Sequence, residues 1–394
     1  MKVYGIFVVF ILFIIVIPDI YIYMRFIRNR VRRSQGILHW IISAYFIIVS
    51  LSVLFKINTL LSPETSYHFM FFITALGAVY IPKLIFVSFD LIFFLAKKRW
   101  RKIQYAGYIC AILAFITIVY AVRWGRFNFQ RQEYVVEIAN LPESFDGYKI
   151  VQISDIHLGN FARSQKRLAS LFEKINKENA DMIVFTGDMF NNFASEAVGW
   201  EPYFQQLSGK DGMLAVLGNH DYGLYYRWDD ERLEEANQYE IIKAIRNFGF
   251  NLLLNESVTI QRGDDQIAFA GIENWGRSPM PQLADLEAAM KPVEDVPIKI
   301  LLSHDPNFWE DFIVGKEDFA LTLSGHTHGA QIGVEFGSVK LSPARLRTKY
   351  WDGIYNEEGQ YLIVSRGVGN VGVSARLGMS PDYVVITLKK SEAQ

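Results

Sequence analysis

The sequence predicts a protein of two parts, an all-α domain of four transmembrane helices followed by a layered α/β domain. The 394-residue chain is 51% hydrophobic, and most of the excess lies in its first 122 residues. From Glu133 onward, short apolar runs end in turns and alternate with amphipathic helices, which is typical of α/β folds. We therefore divide the chain into residues 1–122, a linker with a first strand at 123–147, and a second domain at 148–394.

Four long apolar stretches lead the chain. Each has at least 20 residues, which is enough to cross a hydrocarbon layer about 30 Å thick. One such stretch at the N-terminus would be compatible with a cleaved signal peptide, but four in succession indicate a membrane domain. The predicted spans are Val3–Met24, Ile37–Leu61, His68–Ala96 and Ile103–Val122.

The distribution of basic residues predicts the orientation of these spans. Arg25–Arg33 and Lys97–Lys102 each contain five basic residues, and dense basic loops remain on the cytoplasmic side. The opposite side carries fewer, namely Lys2, Lys56, Arg123, Arg126 and Arg131. We therefore expect a multi-pass protein of a bacterial-type inner or plasma membrane, with both termini and the second domain outside the cytoplasm.

Three charged residues fall inside the predicted spans. Asp19, Lys83 and Asp90 are costly in hydrocarbon, so they either line a proton or ion path or form pairs between helices. A third option is that they reach toward the headgroups. We favour pairing or headgroup contact over a transport path.

The second part of the chain contains strand-like runs separated by helical segments. Gln165–Asn179 has apolar residues at helical spacing, and Glu231–Phe248 and Leu283–Met290 are also predicted helices. Several strands are almost continuously apolar, which indicates burial on both faces. The predicted strands are Tyr134–Ile138, Tyr148–Ser154, Met182–Thr186, Met213–Leu217, Ile267–Ala270, Lys299–Ser303, Phe319–Leu323, Tyr361–Ser365 and Tyr383–Leu388.

Metal-binding side chains follow five of these strands directly. If the strands belong to one open sheet and end on the same side, their turns meet in one crevice, where such folds bind ligands. A glycine-aspartate turn alone is usually only a turn, so the signal lies in the whole series. Its members are Asp155 and His157, Asp188, Asn219 to Asp221, His304, and the pair His326 and His328.

So many carboxylate, amide and imidazole groups require cations to share a buried pocket. Cys110 is the only cysteine, so a site made of several thiolates within one chain is excluded. Nitrogen and oxygen ligands favour Mn, Fe or Zn over Ca or Mg. The series offers more candidate ligands than one four-coordinate ion can take, which indicates two divalent ions that share a carboxylate.

The motif series resembles the calcineurin-like metallophosphoesterase superfamily. The resemblance covers roughly Glu133 to Leu388, with all five motifs present. Ile153–Gly159 together with Gly325–Gln331 is most similar to its membrane-associated phosphodiesterase branch, which includes transmembrane proteins with a metallophosphoesterase domain. The resemblance implies that residues 148–394 form the catalytic domain, a four-layer α/β/β/α sandwich.

The resemblance also implies a role for each motif residue. His220 occupies the position of the general acid, and Asp221 would orient it. Manganese is the favoured metal. One ion would be held by Asp155, His157, Asp188 and His328, and the other by Asp188, Asn219, His304 and His326, so that Asp188 bridges the two ions.

The sequence gives fewer indications of the substrate. The aromatic stretch Tyr222–Trp228 follows the general acid, and it is suited either to acyl chains or to an ordinary packed loop. Tyr222 is therefore a candidate substrate contact. Arginines can bind a second phosphate, although such charges are more often solvated; the candidates are Arg345, Arg347, Arg366 and Arg376.

We therefore predict a membrane-anchored, metal-dependent phosphodiesterase or phosphatase that hydrolyses a phosphate ester, with a lipid or lipid-linked headgroup as the preferred substrate. A net charge of −1 gives no indication of nucleic acid binding. One alternative is a UDP-2,3-diacylglucosamine-type pyrophosphate hydrolase of lipid A biosynthesis, whose cytoplasmic substrate conflicts with the predicted topology. Another is a catalytically silent membrane scaffold or sensor. The oligomeric state is left open.

Overall fold

The structure of the chain is a computed structural model that describes residues 2–60, 62, 65–97, 100–161, 164–276, 281–337 and 339–391. The chain divides into two compact units, Met1–Arg123 and Trp124–Gln394. The first unit is helical and the second is a mixed α/β domain.

The first unit contains the helices α1 (Lys2–Ile22), α2 (Arg33–Leu60), α3 (Ser66–Leu95) and α4 (Arg101–Arg123). Among the described residues, three helical segments are long and apolar enough to cross a membrane, namely Arg33–Ser52, Ser66–Leu95 and Arg101–Phe127. The predicted span Val3–Met24 falls mostly on α1, and many of its side chains lie outside the described residues. The side chains of Lys2 and Lys56 also lie outside the described residues. Lys98 and Arg99 lie outside them entirely.

Both buried aspartates of the first unit have a basic partner. Asp19 accepts hydrogen bonds from Lys83 Nζ at 2.8 Å and from the hydroxyl of Tyr80 at 2.8 Å. Asp90 accepts from Arg25 Nε at 2.7 Å and from the hydroxyl of Tyr21 at 2.7 Å, and Gln104 Nε2 donates to it as well. These contacts are interhelical ion pairs of the kind that the sequence interpretation favoured.

The second unit is built from two six-stranded sheets and one separate hairpin. The first sheet has the order β1-β14-β2-β3-β4-β5, the second has β12-β13-β9-β8-β7-β6, and β10 and β11 form the hairpin. In chain order the strands are β1 Gln130–Ile138, β2 Lys149–Ile153, β3 Met182–Thr186, β4 Gly212–Val216, β5 Asn251–Leu252, β6 Glu256–Arg262, β7 Asp265–Gly271, β8 Lys299–Leu302, β9 Leu321–Ser324, β10 Val334–Phe336, β11 Val339–Leu341, β12 Gly353–Glu357, β13 Gln360–Val364 and β14 Asp382–Lys390.

Apolar side chains fill the space between the two sheets and cover their outer faces. Ile150 and Val184 of the first sheet pack in one cluster with Phe269 and Ile300 of the second. Helices α5 (Gln165–Asn176) and α7 (Glu231–Asn247) cover the other face of the first sheet. The corresponding face of the second sheet packs against α8 (Leu286–Met290) and the turn at Trp309–Ile313. A short α6 (Glu201–Phe204) completes the helices of the described residues.

The strands that carry the metal-binding motifs belong to two sheets rather than one. In the first sheet β2, β3 and β4 are parallel neighbours, and in the second β8 and β9 are parallel neighbours. The turns therefore do not arise from one open sheet. Two packed sheets are what the resemblance implied, and near-continuous apolar strands fit them equally well. The five turns still converge, since both sheets end their parallel strands at the same edge of the sandwich.

Candidate metal centre

The turns that follow these strands have an unusual backbone conformation. Five motif residues have φ values between 51° and 71°, a left-handed region that residues other than glycine seldom adopt. Such conformations persist where surrounding structure enforces them, and they cluster at functional sites. Here the sharp turns direct neighbouring side chains into one pocket. The residues are Asp155, His157, Asp188, His326 and His328.

Glycines make room for the motif side chains. Gly187 has a φ of 94°, and a Cβ added there would lie 2.6 Å from both Gly218 N and His304 Nδ1. A Cβ on Gly325 would overlap the side chains of Ser154 and Asp155. At these two positions a larger residue would displace the strand ends that carry the site.

One group of four buried side chains offers a complete ligand set. Asp155, His157, Asp188 and His328 each present one ligand atom, and these atoms all lie within 4.8 Å of one another. His157 Nε2 is 3.0 Å from His328 Nε2 and 3.6 Å from Asp188 Oδ2. His328 Nε2 is 3.3 Å from Asp155 Oδ1. Four atoms at this spacing can surround one cation.

A second group shares one member with the first. Asp188, His304 and His326 also present ligand atoms within 4.8 Å of one another. His304 Nε2 lies 3.3 Å from Asp188 Oδ2 and 3.2 Å from His326 Nδ1. Because Asp188 belongs to both groups, its carboxylate lies between two adjacent positions for a cation.

Asn219 has an amide oriented for a ligand role at the second position. Its Nδ2 donates to the hydroxyl of Tyr225 at 2.8 Å. Its buried Oδ1 has no hydrogen-bond partner among the described residues. An unpaired buried carbonyl is costly, and only this atom of the amide can bind a cation. The orientation therefore fits a metal ligand.

Backbone carbonyls determine which nitrogen of two histidines faces the site. His304 Nδ1 lies 2.7 Å from the carbonyl of Thr186, and a carbonyl can only accept, so this nitrogen carries the proton. Its Nε2 is the nitrogen that faces Asp188 and is the one available as a metal ligand. The same logic applies to His220, whose Nδ1 donates to the carbonyl of Asn191 at 2.8 Å. Such partners fix ring orientation and basicity at metal sites.

Burial perturbs the ionisation of the cluster strongly. Burial raises the pKa of Asp155 to about 6 and lowers the pKa of His157 to about 3. Burial alone would lower the pKa of His304, but the charge of Asp188 raises it to about 10. Without a metal ion, a second proton on His304 offsets the charge of Asp188; a bound cation would take over that role and leave the imidazole lone pairs free as ligands. The electrostatics therefore fit a dinuclear metal site.

The structure corrects the predicted role of Asp221. Its carboxylate accepts from the backbone N–H groups of Asp188, Phe190 and Gly218 at 2.9 Å each. The group hydrogen-bonded to the ring of His220 is the Asn191 carbonyl instead. Asp221 therefore ties together the turns after β3 and β4, which positions Asp188. Sequence adjacency to His220 was a poor guide, because consecutive residues of a turn point in different directions.

Two contacts around His220 were missed by the sequence analysis. The ring of Tyr225 stacks on the His220 ring with centroids 4.2 Å apart. The carboxylate of Glu196 accepts from four backbone N–H groups, including that of Asn191, and thereby holds the loop whose carbonyl orients His220. The aromatic stretch after His220 was a usable signal for Tyr225. No sequence pattern indicated Glu196.

The structure separates the candidate substrate residues. A cavity of about 370 Å³ beside the metal centre is lined by Arg347 together with His326 and His328. Arg345 precedes Arg347 by two residues and is exposed to solvent. It is not among the residues that line this cavity.

Arg366, Arg376 and Tyr222 need correction, because all three are buried. Arg366 forms a bidentate pair with Asp352, and Arg376 donates to backbone carbonyls such as that of Arg366. The hydroxyl of Tyr222 donates to Glu273. Their polar groups are already used within the protein, so a direct substrate contact is disfavoured.

Comparison with known proteins agrees with this geometry. The sequence pattern of the family described as calcineurin-like phosphoesterase matches residues 148–330, the part of the chain that holds every candidate ligand. An uncharacterized metallophosphoesterase of Aquifex aeolicus is 31% identical over 261 residues, covering 66% of this chain and 91% of its own length. The chain belongs to the calcineurin-like phosphoesterase family. It is a metal-dependent phosphoester hydrolase. The same chain contains helices that are long and apolar enough to cross a membrane.

Two further relatives extend the comparison. The uncharacterized metallophosphoesterase YkuE of Bacillus subtilis is 30% identical over 266 residues, which cover 66% of this chain and 85% of the relative. A zebrafish (Danio rerio) protein named transmembrane protein with metallophosphoesterase domain is 28% identical over 289 residues. That match covers 71% of this chain and 63% of the zebrafish protein.

Proposed function

We propose that the chain is a membrane-anchored phosphoesterase with a dinuclear metal centre that hydrolyses a phosphate ester of a lipid or lipid-linked headgroup. Residues 1–122 would anchor it through four transmembrane helices, residues 123–147 would link the two parts, and residues 148–394 would carry the chemistry. The observation that carries the proposal is that two ligand sets share the carboxylate of Asp188.

In this proposal each metal position has four protein ligands. Asp188 would contribute to both positions, and Asn219 would complete the second set through its unpaired carbonyl oxygen. The mixed nitrogen and oxygen ligands suit Mn, Fe or Zn, and we favour Mn. Bound divalent cations would provide a nucleophile at neutral pH and neutralise the charge that develops on the phosphoryl oxygens.

His220 is the proposed general acid. Because its Nδ1 donates to the Asn191 carbonyl, the proton available for transfer is on Nε2. The ring is only partly buried, so it is accessible from the substrate side, and stacking against Tyr225 limits its rotation. It would protonate the leaving alkoxide, a step for which a histidine is suited near neutral pH.

The lipid substrate is proposed because the catalytic unit is covalently joined to membrane-type helices and because Arg347 lines the cavity beside the metal centre. A guanidinium there can bind a phosphate oxygen of a headgroup. The basic loops after the first span and before the fourth span favour a catalytic domain outside the cytoplasm. Labelling of the C-terminus in intact cells would test that orientation, and protection from an impermeant reagent would contradict it.

Hydrolysis of defined lipids by the purified full chain tests the proposal. With Mn²⁺ in the buffer, we expect phosphate or headgroup release from phospholipids in nanodiscs, and we expect His220→Ala to abolish most of it. Turnover of soluble esters that is equal to that of lipid esters would remove the lipid part of the proposal. Failure of both substrate classes with two bound metal ions would overturn the hydrolase assignment of the site.

A further inference from the structure

The β10–β11 hairpin presents an apolar face to solvent. Val334 pairs with Leu341, and Phe336 pairs with Val339, so the four side chains lie on one face of the hairpin. They are between 54% and 84% exposed. Scattered exposed apolar residues are ordinary, but a contiguous patch on one face marks an interaction surface.

The opposite face of this hairpin is held by ion pairs. Glu335 Oε2 lies 3.0 Å from Arg366 Nη2, and Lys340 Nζ lies 2.6 Å from Asp352 Oδ2. Arg366 and Asp352 are themselves paired and buried. A surface hairpin usually buries its apolar face and exposes its polar face. Here the arrangement is inverted, and the ion pairs keep the apolar face outward.

Two residues close to the hairpin in the chain are also apolar and exposed, and arginines flank one of them. Ile332 is 51% exposed and Leu346 is 91% exposed. Leu346 lies between Arg345 and Arg347, whose side chains are also exposed. Apolar side chains bordered by arginines bind the interface of an anionic bilayer, because the chains enter the headgroup layer while the cations contact phosphate.

A bilayer is within reach of this surface through the covalent chain. Helix α4 ends at Arg123, and β1 begins at Gln130. Residues 124–129 span at most roughly 20–25 Å when extended. If α4 crosses the membrane, the second unit therefore remains close to the bilayer surface, and the patch has an apolar partner at high local concentration.

We propose that the apolar hairpin, β10–β11 with Ile332 and Leu346, docks into the headgroup layer of an anionic lipid bilayer. The hairpin follows the turn of His326 and His328 and precedes Arg347, which lines the cavity beside them. Docking would therefore hold the cavity mouth at the lipid surface, which makes a lipid phosphate ester the fitting substrate class. This inference rests on the proposed membrane-anchored hydrolase. The hairpin also lies beyond residue 330, where the family match ends.

Depth-dependent fluorescence quenching tests the docking in the full chain. Cys110 is the only cysteine, so Cys110→Ser provides a background for Phe336→Cys and, separately, Val339→Cys, each labelled with an environment-sensitive fluorophore. The control is Asp264→Cys, in the turn before β7. Since the metal-binding turns follow strands parallel to β7, this exposed position lies at the opposite end of the sheet.

In nanodiscs of phosphatidylcholine and phosphatidylglycerol, we expect about twofold or greater quenching of both hairpin probes by lipids with a nitroxide near the headgroup. A nitroxide at the bilayer centre should quench less, because interfacial segments enter only about 5–10 Å. The control probe should not respond. Hairpin probes that are quenched no more than the control would overturn the proposal.

Blue-shifted fluorescence without lipid quenching would also overturn the proposal, since a protein partner or a second copy would then cover the patch. Quenching needs no turnover, so its outcome is independent of the proposed chemistry. Hydrolysis of a soluble phosphate ester by the same samples reports on the metal centre alone. The failure of one proposal can therefore be distinguished from the failure of the other.

Discussion

Both units of the molecule bury carboxylates, but they compensate the charge in different ways. In the helical unit, Asp19 is paired with Lys83 and Asp90 with Arg25, so each anion has a cation from the protein itself. In the α/β unit, Asp155 and Asp188 are surrounded mainly by imidazoles. A histidine that acts as a metal ligand presents a lone pair rather than positive charge, so the charge of these carboxylates would be balanced by cations from outside the chain.

The difference shows what distinguishes a metal centre from a structural ion pair. Burial of an aspartate is common to both units and is therefore not informative alone. The identity of the neighbouring groups decides, because lysine and arginine complete a pair, whereas histidine and an unpaired amide oxygen leave positions for a metal. The two kinds of site should therefore differ in how a chelator, or the loss of the carboxylate, affects hydrolysis.

Asp188→Asn is expected to have the largest effect. Both cation positions lose a ligand, so hydrolysis should fall on the order of 10³-fold or more. The matched control is Asp19→Asn, which removes a buried carboxylate from the helical unit and should leave the specific activity of the folded protein unchanged. Steady-state hydrolysis of a soluble ester measures both. Similar losses in the two variants would break the distinction between the sites.

His220→Ala should lower kcat by about 10²–10⁴-fold for alkyl phosphate esters, since the leaving alkoxide loses its proton donor. A nitrophenyl ester, whose leaving group needs no proton, should be affected much less. The bound metal content should stay the same, because His220 is outside both ligand sets. An equal loss for the two esters would contradict the acid role and indicate a structural one.

Asp352→Asn breaks the buried ion pair between Asp352 and Arg366 in the second unit. In this pair the protein itself supplies both charges. The guanidinium of Arg366 would remain buried with a weaker partner, which costs about 3–5 kcal/mol and lowers the Tm by roughly 10 °C. Thermal unfolding of the full chain followed by tryptophan fluorescence measures this. Adding Arg366→Met should recover part of the loss, and no recovery would show that the pair is not the cause.

The pair of Asp352 and Arg366 also makes the stability of the second unit depend on pH. Burial alone would raise the pKa of Asp352, but hydrogen bonds from Arg366 and Lys340 lower it below the ordinary value. Its stabilising contribution is therefore complete above the unfolded pKa of about 3.9 and is lost as the pH falls through the lower folded value. The Tm difference between the wild type and Asp352→Asn should accordingly shrink in acid, and a constant difference would count against the pair.

Chelation should also lower the stability of the second unit. Removing an ion held at about one hundred times its Kd costs about 2.7 kcal/mol, which is roughly 5–10 °C in the Tm for each ion removed. Asp188→Asn should show a much smaller shift, since it binds the ions weakly. A chelator shift of the same size in both proteins would mean that the ions stabilise another site.

Strand prediction succeeded where burial dominates the sequence pattern. Met182–Thr186 agrees at both ends with β3, and the other motif strands agree within two residues, because buried strands are short continuous apolar runs. The strands that were missed, β5, β6, β10, β11 and β12, are short, polar or exposed. The inverted hairpin could not be foreseen, since its apolar residues face solvent against the usual alternation.

The site was predictable to the extent that its side chains follow strands directly. The two groups around Asp188 contain only residues that the motif spacing had indicated. The supporting groups were not predictable, because the Asn191 carbonyl reaches His220, and Glu196 holds that loop, through loop conformation rather than sequence spacing. Arg366 was misassigned for a related reason, since its buried partner Asp352 is identified only by tertiary contacts.

Electron paramagnetic resonance of the Mn-loaded full chain tests most directly whether Asp188 joins two cations. The account predicts about two Mn ions per chain with an exchange-coupled spectrum, which requires a bridging ligand, and a change to uncoupled or lost ions in Asp188→Asn. A wild-type spectrum of isolated Mn ions, or one that Asp188→Asn leaves unchanged, would contradict it.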